Sequence, residues 1–331
     1  MARLERSPGK ERPAKLIVTI DTEEDEWGST RRSGYRCTNI ERIPALQDLF
    51  DRFGVRPTYL VTYPVATDKK AVAILKAMSD AQRADIGAHC HPWNTPPFGE
   101  PNTRLNSILC NLPVDMQYAK MKCLGEAIAA SFGVTPRSFK TGRFGYATSV
   151  AGNLRALGYR IDTSVTPYTS WHRSHGPDFR AIPPRPFRFS ADDAFCECAG
   201  GDLVEVPTTI GFLQSNFRQS DRLLRFVSRP ALHRLHLVGL LGRLGLLNKV
   251  WLSPELSDVR TMIGLTRAML RNGYTVLNMV FHSPSLQAGL TPFTRTTADE
   301  RRFLENLRAF LTFAREHAIE PIRLSEIEAL V

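Results

Sequence analysis

Short apolar runs that end on carboxylate or imidazole side chains, each followed by a helical stretch, constrain this chain more than any other feature. Residues 15–20 (KLIVTI) form an unbroken strand-like run that delivers Asp21 and Glu23 at its end. Residues 57–63 and 85–91 repeat the pattern, and Val276–His282 repeats it late in the chain. Shorter strands are expected at 138–142, 160–164 and 203–207, with a final one at 322–324. Between them, 39–53, 68–78, 115–132 and 297–317 carry apolar residues at helical spacing, and Gly54 and Gly133 stand where C-caps belong. Such alternation builds parallel βα units. In parallel α/β barrels the carboxyl ends of the strands form the active face. The polar residues at these strand ends (Asp21, Glu23, His89, His91, Arg143, Asp162, His282) therefore converge on one face.

A chain of 331 residues exceeds a barrel of ~250 residues, so an insertion is expected. Residues 170–255 supply it: 171–186 are rich in Pro, His and Arg, and 217–252 read as helical. Residues 1–14 read as a loose charged tail, leaving 15–331 as the barrel domain. The six cysteines show no CxxC pairing, which argues against a structural zinc knuckle. The basic N-terminus lacks the apolar stretch of a signal peptide, and no run of ~18 apolar residues is present. A cytoplasmic location is the resulting expectation. The net charge of +10 favours acidic partners, but no groove-reading motif accompanies it, so no nucleic acid is expected.

His89 and His91 stand at i and i+2, so a strand points both imidazoles to one face, where one metal ion can take both. Asp21 and Glu23 align by the same alternation. One carboxylate can complete a His/His/carboxylate site, and the other can serve as a base toward bound water. Glu24, Asp25 and Glu26 read as a solvated acidic loop.

Strand-D-x-E, strand-H-x-H-P, G-R-x-x-Y, D-T-S-x-x-P and an apolar strand ending in His occur in that order. The set resembles the polysaccharide deacetylase family, the NodB-homology enzymes of carbohydrate esterase family four, over roughly 15–165 and 255–325. The resemblance implies a distorted (β/α) barrel and a divalent metal, most often Zn2+. It implies Asp21 as base and Glu23 as metal ligand, with the two roles open to exchange. His89 matches the family's first histidine. The family's second histidine usually lies four residues on, where this chain has Trp93. His91 therefore stands on the strand geometry, with Asn94 or a water as the alternative. By the same resemblance Arg143 holds the catalytic carboxylate, backbone near Tyr146 binds the oxyanion, Asp162 tunes the catalytic histidine, and His282 is the general acid. Tyr168 and Trp93 would line the sugar pocket, with Trp171 and Phe212 as further stacking surfaces.

The implied reaction is removal of an N-acetyl group from an amino sugar in a glycan or glycoconjugate. Hydrolysis of a non-sugar amide is one alternative, and an inactive sugar-binding module is another. The Leu-rich stretch at 232–252, with Arg234, Arg243 and Lys249, reads as a helical cap with its leucines in the core. The competing reading of 217–252 is a helix resting on an anionic membrane.

Overall fold

The computed structural model of the chain describes residues 13–229, 232 and 236–331. Most of the expected tail, residues 1–12, and Arg234 lie outside the described residues. The strands are β1 (Lys15–Thr22), β2 (Thr58–Val61), β3 (Asp85–Cys90), β4 (Ser138–Thr141), β5 (Ile161–Asp162), β6 (Phe187–Ser190) and β7 (Asp193–Glu197). They continue with β8 (Leu203–Glu205), β9 (Ile210–Phe212), β10 (Lys249–Trp251), β11 (Val276–His282) and β12 (Glu320–Pro321). The parallel sheet runs β11-β1-β2-β3-β4-β5-β8, and the antiparallel pair β6-β7 extends it beyond β8.

No strand pairing closes β8 onto β11; side-chain bonds and an isolated backbone bond bridge that seam instead. The Asn278 amide donates to Thr163 Oγ1 (3.0 Å) and to the Val206 carbonyl (3.3 Å). Its backbone N–H donates to Thr209 Oγ1 at 2.7 Å, and the Thr209 N–H returns a bond to the Asn278 carbonyl at 3.1 Å. The result is the expected (β/α) barrel-like fold, left open at one ladder.

Alternation along the strands separates a core from a site. Leu16, Val18 and Ile20 of β1 pack outward into the main core, as do Ile86, Ala88 and Cys90 of β3, Phe139 of β4, and Leu277, Met279 and Phe281 of β11. Facing inward, Ile17 packs with Ile161, Val204 and Val206, and Leu324 and Ile327 of the C-terminal 3-10 turn join them. Above that small plug, the next inward positions are mostly polar: Thr19 and Asp21, His89, Lys140, Asn278 and His282, with Val280 the apolar exception on β11.

Several boundaries differ from expectation. The helix expected from 39 begins as a 3-10 turn, Thr38–Arg42, and becomes α-helical at Ile43–Asp51, where Pro44 suits a first-turn position. The final strand is Glu320–Pro321 rather than 322–324, because these residues pair with Lys15 and Leu16. The segment expected to be helical throughout 217–252 forms two helices, Phe217–Val227 and Leu237–Arg243, and then β10, which pairs with β9. Gly245, at φ 69°, lies between the second helix and β10. The leucines of this segment divide: Leu247 and Leu252 are core and Leu237 and Leu241 pack against it, whereas Leu240, Leu244 and Leu246 are 53%, 61% and 55% exposed. Residues 170–255 also contribute β8 to the main sheet. No helix among the described residues is long and apolar enough to cross a membrane.

Candidate active site

The carboxyl ends of β1, β3, β4 and β11 bring Asp21, Glu23, His89, His91, Lys140 and His282 around one cavity of about 470 Å³. Glu23 Oε1 lies 2.9 Å from His89 Nε2 and 3.4 Å from His91 Nε2, and the two Nε2 atoms are 2.9 Å apart. His89 Nδ1 lies 3.3 Å from the Lys140 carbonyl, to which its N–H donates, an orientation that would leave Nε2 to offer its lone pair to a metal ion. His91 Nδ1 is buried without a hydrogen-bond partner, the Glu24 carboxylate being 3.8 Å away.

Two nitrogens and one oxygen turned toward a common point are a donor set for a divalent ion. Bonds of about 2.0–2.1 Å in a tetrahedron set donors about 3.3 Å apart, close to these separations. The residues therefore fit the metal that the motifs imply, and His91 belongs to the set. Gly142 is part of the fit: a Cβ there would stand 2.1 Å from His91 Cδ2. Burial works against the Glu23 anion, but His91 and His89 hold its carboxyl well below the usual range.

Asp21 lies beside this cluster, and the cation that holds it is Lys140. Lys140 Nζ donates to Asp21 Oδ1 at 2.9 Å and Oδ2 at 2.8 Å, and both side chains are buried. Burial opposes the Asp21 anion, yet Lys140, His89 and His282 hold its pKa below the ordinary value. Arg143, expected in that role, donates to Ser107 Oγ at 2.7 Å and stacks over Trp93 at 4.7 Å. The reason is backbone direction. Lys140 is an inward-facing strand residue, whereas Arg143 follows the turn at Gly142 and adopts φ 52°.

His282 Nε2 approaches Asp21 Oδ2 at 3.5 Å, while its Nδ1 faces Glu255 Oε2 at 2.9 Å. Glu255 also accepts the His282 backbone N–H at 3.0 Å and the Ser285 hydroxyl. Burial opposes protonation of His282, but Glu255, with Glu23 and Asp21, raises its pKa to about 9. Its partner is thus Glu255 and not Asp162. Asp162 is buried between strands, where it accepts the Ser164 N–H and hydroxyl at 2.9 and 2.8 Å, and Ser164 in turn accepts the Thr141 N–H at 2.8 Å. It braces the end of β4. Burial lifts its pKa to about 6, and burial beside Asp162 pushes Glu205 well up.

The protonated His282 is the acid form, so activity that needs it is lost as pH rises through about 9. Glu255→Gln removes the raising carboxylate and is expected to move that alkaline limit of kcat/KM down toward the usual imidazole range. An unchanged limit would remove Glu255 from this role.

Of the expected pocket residues, Trp93 lines the cavity, stacked on His91 at 4.2 Å and covered by Arg143. Tyr146 is fully buried against Phe189 and Phe195, and its N–H is already bonded to the Phe144 carbonyl, so it supplies no oxyanion donor. Tyr168 packs on Phe212 and Phe217, away from the lining, and Phe212 is core. Trp171, expected as a stacking surface, does line the cavity, and Trp27, Phe144 and Trp251 complete the aromatic walls. Glu24 and Asp25, expected in solvent, are buried. Glu24 accepts from Thr62 and Asn94, and Asp25 caps the turn at Thr38 and Asn39.

No family model matches the chain, and no curated protein sequence matches it. Solved structures do. A protein assigned as a polysaccharide deacetylase from Mycobacterium smegmatis aligns over 94% of this chain and 93% of its own, at 14% identity and TM-score 0.47. One assigned as a glycoside hydrolase/deacetylase from Parabacteroides distasonis aligns over 96% of this chain and 71% of its own, at 11% identity and TM-score 0.57. The chain has a deacetylase-type fold. The 4-alpha-glucanotransferase of Thermococcus litoralis shares it over 96% of this chain and 40% of its own, at 12% identity and TM-score 0.53. A deacetylase-type fold thus hosts more than one chemistry, and the reaction has to be argued from the site.

Proposed function

We propose that this protein is a metal-dependent hydrolase that removes an N-acetyl group from an amino sugar within a glycan or glycoconjugate. The observation that carries the reading is the juxtaposition of Asp21, gripped by Lys140, and His282, held by Glu255, beside the Glu23/His89/His91 donor set. A second group of possible ligands, Asp21, Glu23 and His282, overlaps the first. It fits less well, because Lys140 already engages both Asp21 oxygens.

Glu23, His89 and His91 would hold a divalent ion, with Zn2+ suited to the donors. Such an ion, when bound, supplies Lewis-acid polarisation of the acyl carbonyl and of water. Asp21 remains ionised at neutral pH, and each of its oxygens keeps a lone pair beyond the one Lys140 uses. It takes the proton from the attacking water. His282 gives its proton to the amide nitrogen as the C–N bond breaks, so that the amine departs neutral and acetate is released. The tryptophans around the cavity offer apolar faces to a sugar ring.

The test is acetate release from N-acetylated glucosamine oligomers, with metal content measured alongside. Wild type is expected to release acetate and to lose that activity on chelation. His89→Ala is expected to lose most of its bound metal by elemental analysis, since ligand loss opens a three-residue site. Full metal occupancy in His89→Ala would overturn the ligand assignment, and no acetate from metal-loaded wild type would overturn the substrate assignment.

A further inference from the structure

Lys140 takes the partner expected for Arg143, and that leaves a guanidinium in the active-site cavity with no carboxylate against it. Every acidic residue lining the cavity has another partner. Asp21 has Lys140, Glu255 has His282 and Ser285, and Glu26 has Arg31 and Arg36. Glu24 accepts from Thr62 and Asn94, and Glu23 faces the two histidines. Among the described residues, Arg143 forms no ion pair. One of its five N–H donors is used, on Ser107 Oγ.

Its position is nevertheless held firmly. The guanidinium lies over Trp93, which is itself stacked on His91. Arg143 and Phe144 both adopt left-handed backbone, φ 52° and 57°, which non-glycine residues rarely retain without a structural reason. Arg104 adds positive potential there, and Glu23, which faces the two histidines and forms no ion pair with Arg143, offsets part of it. A half-buried, stacked and unpaired guanidinium beside a reaction centre suits a planar oxyanion on the ligand.

We infer that Arg143 binds an anionic substituent of the substrate, a carboxylate or phosphate, so that the site prefers an acidic N-acylated sugar over a neutral one. The inference rests on the deacetylase reading for the sugar but not for the anion. One charge-assisted contact of this kind predicts a preference of roughly ten- to hundredfold.

Calorimetric titration with N-acetylglucosamine, N-acetylglucosamine 6-phosphate and N-acetylmuramic acid tests it, with and without added Zn2+. Wild type is expected to bind an acidic sugar at least about tenfold more tightly than the neutral one, metal or no metal. The two acidic probes separate phosphate from carboxylate. Arg143→Gln is expected to lose the preference and Arg143→Lys to keep part of it. Equal or absent binding in wild type, or a preference surviving in Arg143→Gln, would overturn the inference. So would a loss of kcat on a neutral substrate in Arg143→Gln with KM unchanged, since that marks an oxyanion donor. Should wild type hydrolyse none of these sugars while the preference still follows Arg143, the anion site stands and the deacetylase reading falls.

Discussion

Asp21→Asn is expected to lower turnover of an N-acetylated sugar by roughly 10²- to 10⁴-fold, the range that a general base contributes. In the proposed reaction this carboxylate takes the proton from water beside the Glu23/His89/His91 donor set, and asparagine keeps its shape without its basicity. His282→Ala is expected to fall in the same range, because its Nε2, 3.5 Å from Asp21, carries the proton that the proposed reaction gives to the leaving amine. In both variants circular dichroism and metal content are expected to match wild type, since neither residue belongs to the Glu23/His89/His91 set. Turnover within threefold of wild type in either variant would sink the acid–base assignment.

Lys140→Met is the second large expectation, and it separates this site from the one the motif suggests. Lys140 and Asp21 side chains are only 2% and 5% exposed, so removing the lysine leaves a buried carboxylate without its counter-charge. Breaking such a pair costs about 3–5 kcal/mol, readable as a shift in the urea unfolding midpoint. The sign for pH follows from the same geometry. Without Lys140, burial raises the Asp21 pKa, so the acid limb of any residual kcat/KM profile moves to higher pH. Asp21→Asn combined with Lys140→Met removes both charges and is expected to recover much of the lost stability. If Lys140→Met costs under 1 kcal/mol, or if the double variant is no better than the single, the pair is not what holds this end of the barrel together.

Much of this arrangement is legible in the residue order because it depends on local periodicity. An apolar run with β-branched residues forms a strand, and a period of two decides which residues share a face. That reasoning places Asp21 with Glu23 and His89 with His91, and it brings His91 into the donor set despite Trp93 standing at the more usual position. It also contained an overlooked signal. Lys140 alternates with Phe139 in β4, and a lysine at an inward strand position needs a buried partner. The 217–252 segment misled for a related reason: leucine spacing alone does not distinguish a packed face from an exposed one, and here Leu240, Leu244 and Leu246 face solvent.

The sequence by itself determined which side chains arrive at the carboxyl ends of the strands, since strand formation and alternation are properties of neighbouring residues. Tertiary structure alone decided which of them pair. Two cations three residues apart, Lys140 and Arg143, are equivalent in a motif. The strand direction of one and the left-handed φ of the other send only Lys140 to Asp21, 119 residues away. Glu255 reaches His282 ahead of Asp162 in the same way, because its carboxylate meets both the Nδ1 and the backbone N–H at the end of β11, while Asp162 is turned into the brace beneath β4. Such pairings follow from register, backbone torsion and distance across the barrel, none of which is a property of adjacent residues.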